Sequence, residues 1–509
     1  MIYWTGTIEP EDIETLKNTT TTRLLNTLLC QALNLPPSEC GDTFMDMAEA
    51  FIPVLELLLE VKPGTMSNKT VGEVLEDWLD ITLGISEDCL QLTVSTPWRP
   101  NGSENKTLPV MFFIHGGAFY AGTHIRMSSE RLGAWDDVIV VGINYRIGPL
   151  GFMCLDTEEA AGNMGMLDMV VALEWVHQYI GYFGGDASRI TIFGESAGSA
   201  AINHLLLSAE TNGLFHQGIG QSGSALASWA FDSNAEFNAK EIARKVNCTQ
   251  EDHDELVLCL RDISAANISR AFSEYNSEMR IKGGLGFGGS IPCAQKKGAR
   301  KFYDATKGET PESVLFGGNY RHVPIMFGAN SHEGSYVYST VYNSYLEPNN
   351  LTEDVNFLTN QFIPQILKTV GVSNSYAIEN LIKAAYFEEW QLGNLTNMQP
   401  GAIDLFSVFF LKASSYKTVE ENSKYEDSYW YSFDYKSVQK SVFHLLFIEP
   451  SKKGGLLEPG VCHADELMYM FDVQLPLILC NLADMVPDLV KCVTNYNPTE
   501  CTDENSPFR

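Results

Sequence analysis

The sequence predicts an α/β fold: a mostly parallel central sheet covered by helices on both faces, with helical insertions. Three observations carry this. From Glu87 onward, short apolar strands alternate with helices over about 300 residues, a texture that argues parallel pairing through crossover helices. The run ITIFGESAGSAAINHLLLS passes from strand, through a sharp Gly194–Gly198 turn, into an apolar helical stretch. A second strand, in VMFFIHGGAF, ends in a glycine-rich loop about 80 residues earlier.

Residues 1–86 read as a divergent, helical N-terminal segment. Leu24, Leu25, Leu28, Leu29 and Leu33 recur at helix spacing until Pro36-Pro37 stops the run, and 43–61 and 71–83 are amphipathic candidates. Strands are expected at Val110–Ile114, Val138–Ile143, Ile190–Phe193, Val323–Gly328 and Ser428–Phe433, with the most regular helix at Met164–Ile180. Residues 340–425 are more helical and polar, as a cap or insertion would be. Residues 87–509 are expected to form one globule.

The chain has 509 residues and a net charge of -30. Such an acid excess argues against nucleic acid and against an anionic membrane surface, both of which need a surplus of Lys and Arg. It keeps a large chain soluble; a field that draws cationic substrates into a gorge is the sharper alternative. Eleven cysteines and eight N-x-Ser/Thr sequons, at Asn18, Asn68, Asn101, Asn105, Asn247, Asn267, Asn350 and Asn394, point to a secreted or lumenal glycoprotein with disulfide bonds. The odd cysteine count leaves one thiol free or shared between chains, and Cys480, Cys492 and Cys501 could supply the bond of a homodimer. No signal peptide opens the sequence, and acids and Pro53 interrupt the Leu-rich stretch 44–61, so no transmembrane segment is expected.

The Gly194–Gly198 turn has the form G-x-S-x-G in its required strand–turn–helix setting. A serine at the tip of such a turn has a reachable hydroxyl, and the flanking glycines let strand and helix approach around it. Ser196 is therefore the expected nucleophile. Acyl transfer also needs N–H donors aimed at the developing oxyanion, each worth about 3 kcal/mol. Gly117 and Ala118 after the earlier strand, with Ala197 after the serine, are the expected donors. In this class the order is Ser, acid, His. His444 lies in an apolar run and reads as a core residue, whereas His463, in the loop EPGVCHADEL, suits a general base. Glu333 stands at the carboxyl end of a strand, where sites in such sheets collect, and is the expected acid; His332 beside it reads as a bystander.

Together, SEDCLQLTVSTP, FFIHGGAFYAGT, VGINYRIGPLGF, GNMGMLDMVVALEWVHQYIGYFGGDASRITIFGESAGS, GLFHQGIGQSGSALASWA, PIMFGANSHEGS and GVCHADEL resemble the type-B carboxylesterase and cholinesterase family over about residues 86–470. The resemblance implies the α/β-hydrolase fold, hydrolysis of a small-molecule carboxylic ester by a Ser196–Glu333–His463 triad through an acyl-enzyme, and neither metal nor organic cofactor. It implies a Cys248–Cys259 disulfide, and a second loop from Cys89 to Cys40 or Cys30. Trp229 matches an aromatic that lines the acyl pocket in cholinesterases, and a core role for it is equally open. Departures exist. Residues 1–86 lack the family's opening hairpin and the arginine that pairs with the Glu of SEDC, here Glu87. Trp78 is only a weak match to a choline-binding Trp, and Ala118 replaces a glycine usual in cholinesterases. The resemblance leaves two alternatives: a catalytically silent adhesion or interaction protein of this family, and a choline-ester-specific esterase.

Overall fold

A computed structural model describes residues 86–97, 107–125, 127–129, 132–133, 137–373, 375–436 and 460–473. The expected helices of 1–86, together with Trp78, Cys30, Cys40, His444, the three C-terminal cysteines and the sequons at Asn18, Asn68, Asn101 and Asn105, lie outside the described residues. The chain divides into two compact units, Met1–Cys89 with Gln474–Arg509, and Leu90–Val473. The described strands and helices all belong to the second unit.

Seven strands form its main sheet: β1 (Leu92–Ser95), β2 (Leu108–Ile114), β4 (Ile139–Ile143), β5 (Gly185–Glu195), β6 (Gln217–Gln221), β7 (Ile325–Asn330) and β8 (Ser428–Phe433). A small antiparallel pair joins β3 (Met127–Ser128) to β9 (Asp472–Val473). The order in the main sheet is β1-β4-β2-β5-β6-β7-β8. Only the β1–β4 pair is antiparallel. Each predicted strand overlaps an observed one, and the α/β-hydrolase expectation holds. The sequence composition explains the pattern. β4 is buried at all five positions, as a strand covered on both faces must be, and β2 is almost as apolar.

Helices cover the sheet. Helix α1 (Met164–Tyr179) buries Met166, Met169, Val170, Leu173 and Val176 at helical spacing. Helix α2 (Ala197–Leu207) is buried at every residue. Helices α3 (Ala235–Lys245) and α4 (His253–Arg261) are tied by the Cys248–Cys259 disulfide, and α5 (Ala265–Ile281) comes next. Helix α6 (Gly334–Val341) leads into the stretch expected as an insertion, which contains α7 (Phe362–Thr369), α8 (Leu395–Ser407) and α9 (Ala413–Asn422), with one π turn at Val408–Lys412 between the last two. Among the described residues no helix is long and apolar enough to cross a membrane. Asn247, Asn267, Asn350 and Asn394 are exposed.

Two strands of the main sheet were not legible, nor was the short β3–β9 pair. β1 sits at the sheet edge, and β6 reads QGIGQ, with neither alternation nor β-branched enrichment. Its glycines answer to packing. A Cβ at Gly220 would overlap the Phe327 ring of the neighbouring strand.

Candidate active site

β5 ends at Glu195, and the chain turns into α2 through Ser196 at φ 59°, ψ -119°. This is a region that non-glycine residues rarely enter, at a cost of about 1–3 kcal/mol. Two bonds hold it. The Ser196 N–H donates to the Gln221 carbonyl of β6 at 2.7 Å, and the Ser196 carbonyl accepts the Ala200 N–H at 3.0 Å. Both flanking glycines are sterically required, because a Cβ at either would overlap the Ile114 carbonyl oxygen at the end of β2. The turn thus presses directly against the strand that leads into the Gly117 loop.

That loop is itself strained. Gly117 stands at φ 105°, Ala118 at 52° and Phe119 at 63°. The Gly117 carbonyl is consumed by the Tyr120 and Ala121 N–H groups at 3.1 and 3.0 Å. Among the described residues the N–H groups of Gly117 and Ala118 have no protein acceptor, and Ala197 opens a helix, where the first N–H groups have no intrahelical acceptor. Below the loop, the His115 ring stacks on Tyr145 at 4.4 Å, with its Nδ1 2.8 Å from the Gly116 carbonyl. Burial pushes the His115 pKa down to about 4, so the ring is neutral and the Nδ1–H can donate.

Glu333 follows β7 and is fully buried. Gly334 next to it permits the burial, because a side chain there would collide with the Ile403 carbonyl of α8. One carboxylate oxygen, Oε1, accepts the Asn330 N–H at 2.7 Å and the Ser222 hydroxyl. The other, Oε2, lies 2.6 Å from His463 Nδ1. The His463 loop is shaped by Ala464 at φ 67° and by Asp465, whose carboxylate accepts the Cys462 N–H at 2.9 Å. His332, expected to be a bystander, anchors this loop: its N–H donates to the Val461 carbonyl at 2.9 Å.

His463 Nε2 lies 3.1 Å from Glu195 Oε1, a contact of proximity and charge rather than a directed hydrogen bond. No hydrogen bond joins Ser196 Oγ to His463 in this structure, though both face one cavity. Hydrogen bonds at such sites commonly tighten only when substrate is bound. The Tyr336 ring stacks on the imidazole at 5.3 Å.

Sequence reasoning missed the carboxylates around this histidine. Burial pushes Glu195 up to about 8 and Glu466 up to about 7. Glu466 is held by Gln221 at 3.1 Å and Asn330 at 2.6 Å. Burial alone would lower the His463 pKa, but the charges of Glu195 and Glu333 outweigh it and raise it. The Glu195 contribution requires an ionised Glu195. Glu195 and His463 are thus coupled: burial raises the Glu195 carboxyl and the His463 charge opposes that rise. The only sequence signals were the variable position of G-x-S-x-G for Glu195 and the third residue after His463 for Glu466.

The cavity is about 190 Å³. Gly117, Ala118, Glu195, Ser196 and His463 line it, and the rest of the wall is mainly apolar, including Leu285, Phe287, Val341, Phe357, Phe406 and Leu411. Trp229 also faces it while buried in the core, its Nε1–H donating to the Phe410 carbonyl at 2.7 Å. The acceptor belongs to the π turn, whose widened backbone leaves carbonyls available. Among the described residues Arg280 is the one Lys or Arg in the lining, 5.0 Å over the Phe287 ring.

A model of the carboxylesterase family matches residues 60–481. A carboxylic ester hydrolase of Bombus ignitus is 31% identical over 395 residues, covering 76% of this chain and 66% of the relative. Neuroligin-2 of Mus musculus is 40% identical over 200 residues, covering 36% of this chain and 24% of the relative. The chain therefore spans about two thirds of the first relative and about a quarter of the second. Juvenile hormone esterase from Manduca sexta, in a structure with OTFP covalently attached, superposes with a TM-score of 0.61 at 24% identity, covering 76% of this chain and 69% of that one, a likeness of fold.

Proposed function

The chain belongs to the carboxylesterase family, and from that premise we propose that it hydrolyses neutral, lipophilic carboxylic esters through an acyl-enzyme on Ser196. The observation that carries the proposal is His463, joined to the buried Glu333 at 2.6 Å and lining the same cavity as Ser196 and the Gly117 loop. His463 Nε2 takes the Ser196 proton as Oγ attacks the ester carbonyl. The oxyanion receives the N–H groups of Gly117, Ala118 and Ala197. The imidazolium, stabilised by Glu333, then protonates the leaving alkoxide. Water enters, gives a proton to His463 and attacks the acyl carbonyl; the imidazolium returns that proton to Ser196 Oγ as the C–O bond to the acyl group breaks and the acid is released.

The apolar wall favours an aliphatic or aromatic acyl or alcohol group. Arg280 disfavours a choline head, because a second cation in the same cavity is repelled. The neuroligin-2 likeness supports a second reading, a silent interaction protein. Four exposed sequon asparagines and the Cys248–Cys259 disulfide support passage through an oxidising secretory compartment.

The test is covalent labelling by an organophosphate, combined with hydrolysis of a short-chain nitrophenyl ester. Wild type is expected to take up one label and turn over, and Ser196→Ala to do neither. Folded wild-type protein that does neither would overturn the proposal in favour of the interaction protein.

A further inference from the structure

We propose that Cys154 and Cys293 form a second, buried disulfide that staples the segment before α1 to the end of the loop forming one wall of the cavity. Cys154 precedes α1 by ten residues, and Cys293 lies beyond the Gly283–Phe287 wall. Both are buried and carry thiols in this structure. A Cβ built on Gly162 would lie 2.5 Å from the Cys293 sulfur and 2.9 Å from the Cys154 sulfur, so the two sulfurs converge on one point. Gly162, at φ 85°, is what leaves room for them.

The backbones on both sides are already fixed. Asn163 Nδ2 donates to the Cys293 carbonyl at 2.8 Å, and the Cys293 N–H donates back to Asn163 Oδ1 at 2.9 Å. Gln295 Nε2 donates to the Gly162 carbonyl at 3.1 Å, and Cys154 forms a β-bridge with Ala161. Two thiols held in contact this way lose little further freedom on bonding, and the enclosed segment, 154–293, is long enough for the cross-link to remove much unfolded-state entropy. The segment contains Ser196 and Trp229, so the staple closes a frame around the cavity.

The chemistry is thiol–disulfide exchange. A disulfide donor of the secretory compartment, an oxidised dithiol protein or glutathione disulfide, accepts two electrons and two protons and leaves as two thiols, while the Cys154–Cys293 S–S bond forms. It forms during folding, before burial. A pair buried while still reduced would stay so, because the neighbouring Cys154 thiol and burial push the Cys293 pKa upward and withhold the thiolate that exchange requires. Once formed, the S–S bond is shielded from reductants in the native state because burial keeps an attacking thiolate from either sulfur.

The test uses the full chain, secreted from a eukaryotic host and alkylated in guanidinium without reductant. A peptide map is expected to contain the Cys154 and Cys293 peptides linked, two hydrogens lighter than the separate thiol peptides. Recovery of either one alkylated, or linked to another cysteine, overturns the proposal. A second measurement counts thiols under the same denaturing conditions. Cys154→Ser is expected to gain one reactive thiol over wild type, because Cys293 loses its partner. A loss of one thiol would mean that Cys154 was never paired.

Discussion

Replacing Glu333 by glutamine changes one oxygen into an amide nitrogen and little else. The site is fully buried, so the new group must satisfy the donors already there. Oε1 accepts from the Asn330 N–H at 2.7 Å, a backbone donor that cannot rotate away. The glutamine oxygen must therefore take that position, which points the NH2 at His463 Nδ1, 2.6 Å from the former Oε2. Two donors cannot face each other, so Nδ1 must give up its proton and accept. The proton moves to Nε2, the atom that has to accept from Ser196. The base is lost by tautomer, and the charge that stabilises the imidazolium is lost with it. A comparable carboxylate-to-amide change in a Ser-His-Asp triad costs about 10⁴ in kcat, or about 5.5 kcal/mol. The assay is kcat on a nitrophenyl ester beside the organophosphate labelling rate, and both should fall together while a thermal melt shows a folded protein. A kcat within tenfold of wild type would refute the assignment of Glu333.

Three further outcomes are expected. Glu195 has a folded pKa near 8 against an ordinary 4.5, so the folded state keeps a proton that the unfolded state has released. Its stability contribution is complete below about 4.5 and is lost as pH rises to 8, by up to about 1.4 kcal/mol per pH unit; melts of Glu195→Gln across this window should be flatter than wild type, and an unchanged slope would count against a buried neutral Glu195. Gly198→Ala forces the elbow away from the Ile114 carbonyl, and a displacement of about 1 Å should lower kcat about 10²-fold, read by steady-state kinetics on protein checked by circular dichroism. Arg280→Gln should raise kcat/KM for a thiocholine ester about 20-fold relative to its neutral isostere, since like charges about 10 Å apart repel by about 1.7 kcal/mol at an effective dielectric of about 20; an equal response of both esters would remove Arg280 from specificity.

The strands and the turns at their ends were legible because their signals are local. GESAG follows a strand and opens a helix within 10 residues, and the HGGA loop ends a strand in the same way. Glu333 and His463 stand 130 residues apart, and their meeting is made by the sheet order and the α8 backbone, which no spacing encodes. The same holds for β6, whose glycines make sense only against Phe327, and for Glu466, which reads as one acid among many until Asn330 and Gln221 enclose it. Trp229, left between pocket and core, does both: its ring faces the cavity and its Nε1–H reaches the Phe410 carbonyl.

Where the backbone is strained bears on the choice between hydrolase and interaction protein. Among the described residues ten non-glycine residues have positive φ. Five are Asp or Asn, types whose short polar side chains tolerate that region: Asp137, Asp156, Asn163, Asn247 and Asn350. The other five are Ala118, Phe119, Ser196, Ser222 and Ala464, types that do not; Ala118, Ser196 and Ala464 line the cavity, Phe119 follows Ala118, and the Ser222 hydroxyl donates to Glu333. At about 1–3 kcal/mol each, this is a large local cost. Glu195, Glu333 and Glu466 add three buried carboxyls to the same region. A surface that binds a partner gains nothing from strain and buried acids at the end of a sheet. A serine lifted toward an imidazole, beside unpaired N–H groups, requires the strain at Ser196 and Ala118 and the burial of Glu333. The cost is concentrated where ester hydrolysis needs it, and that distribution favours the hydrolase.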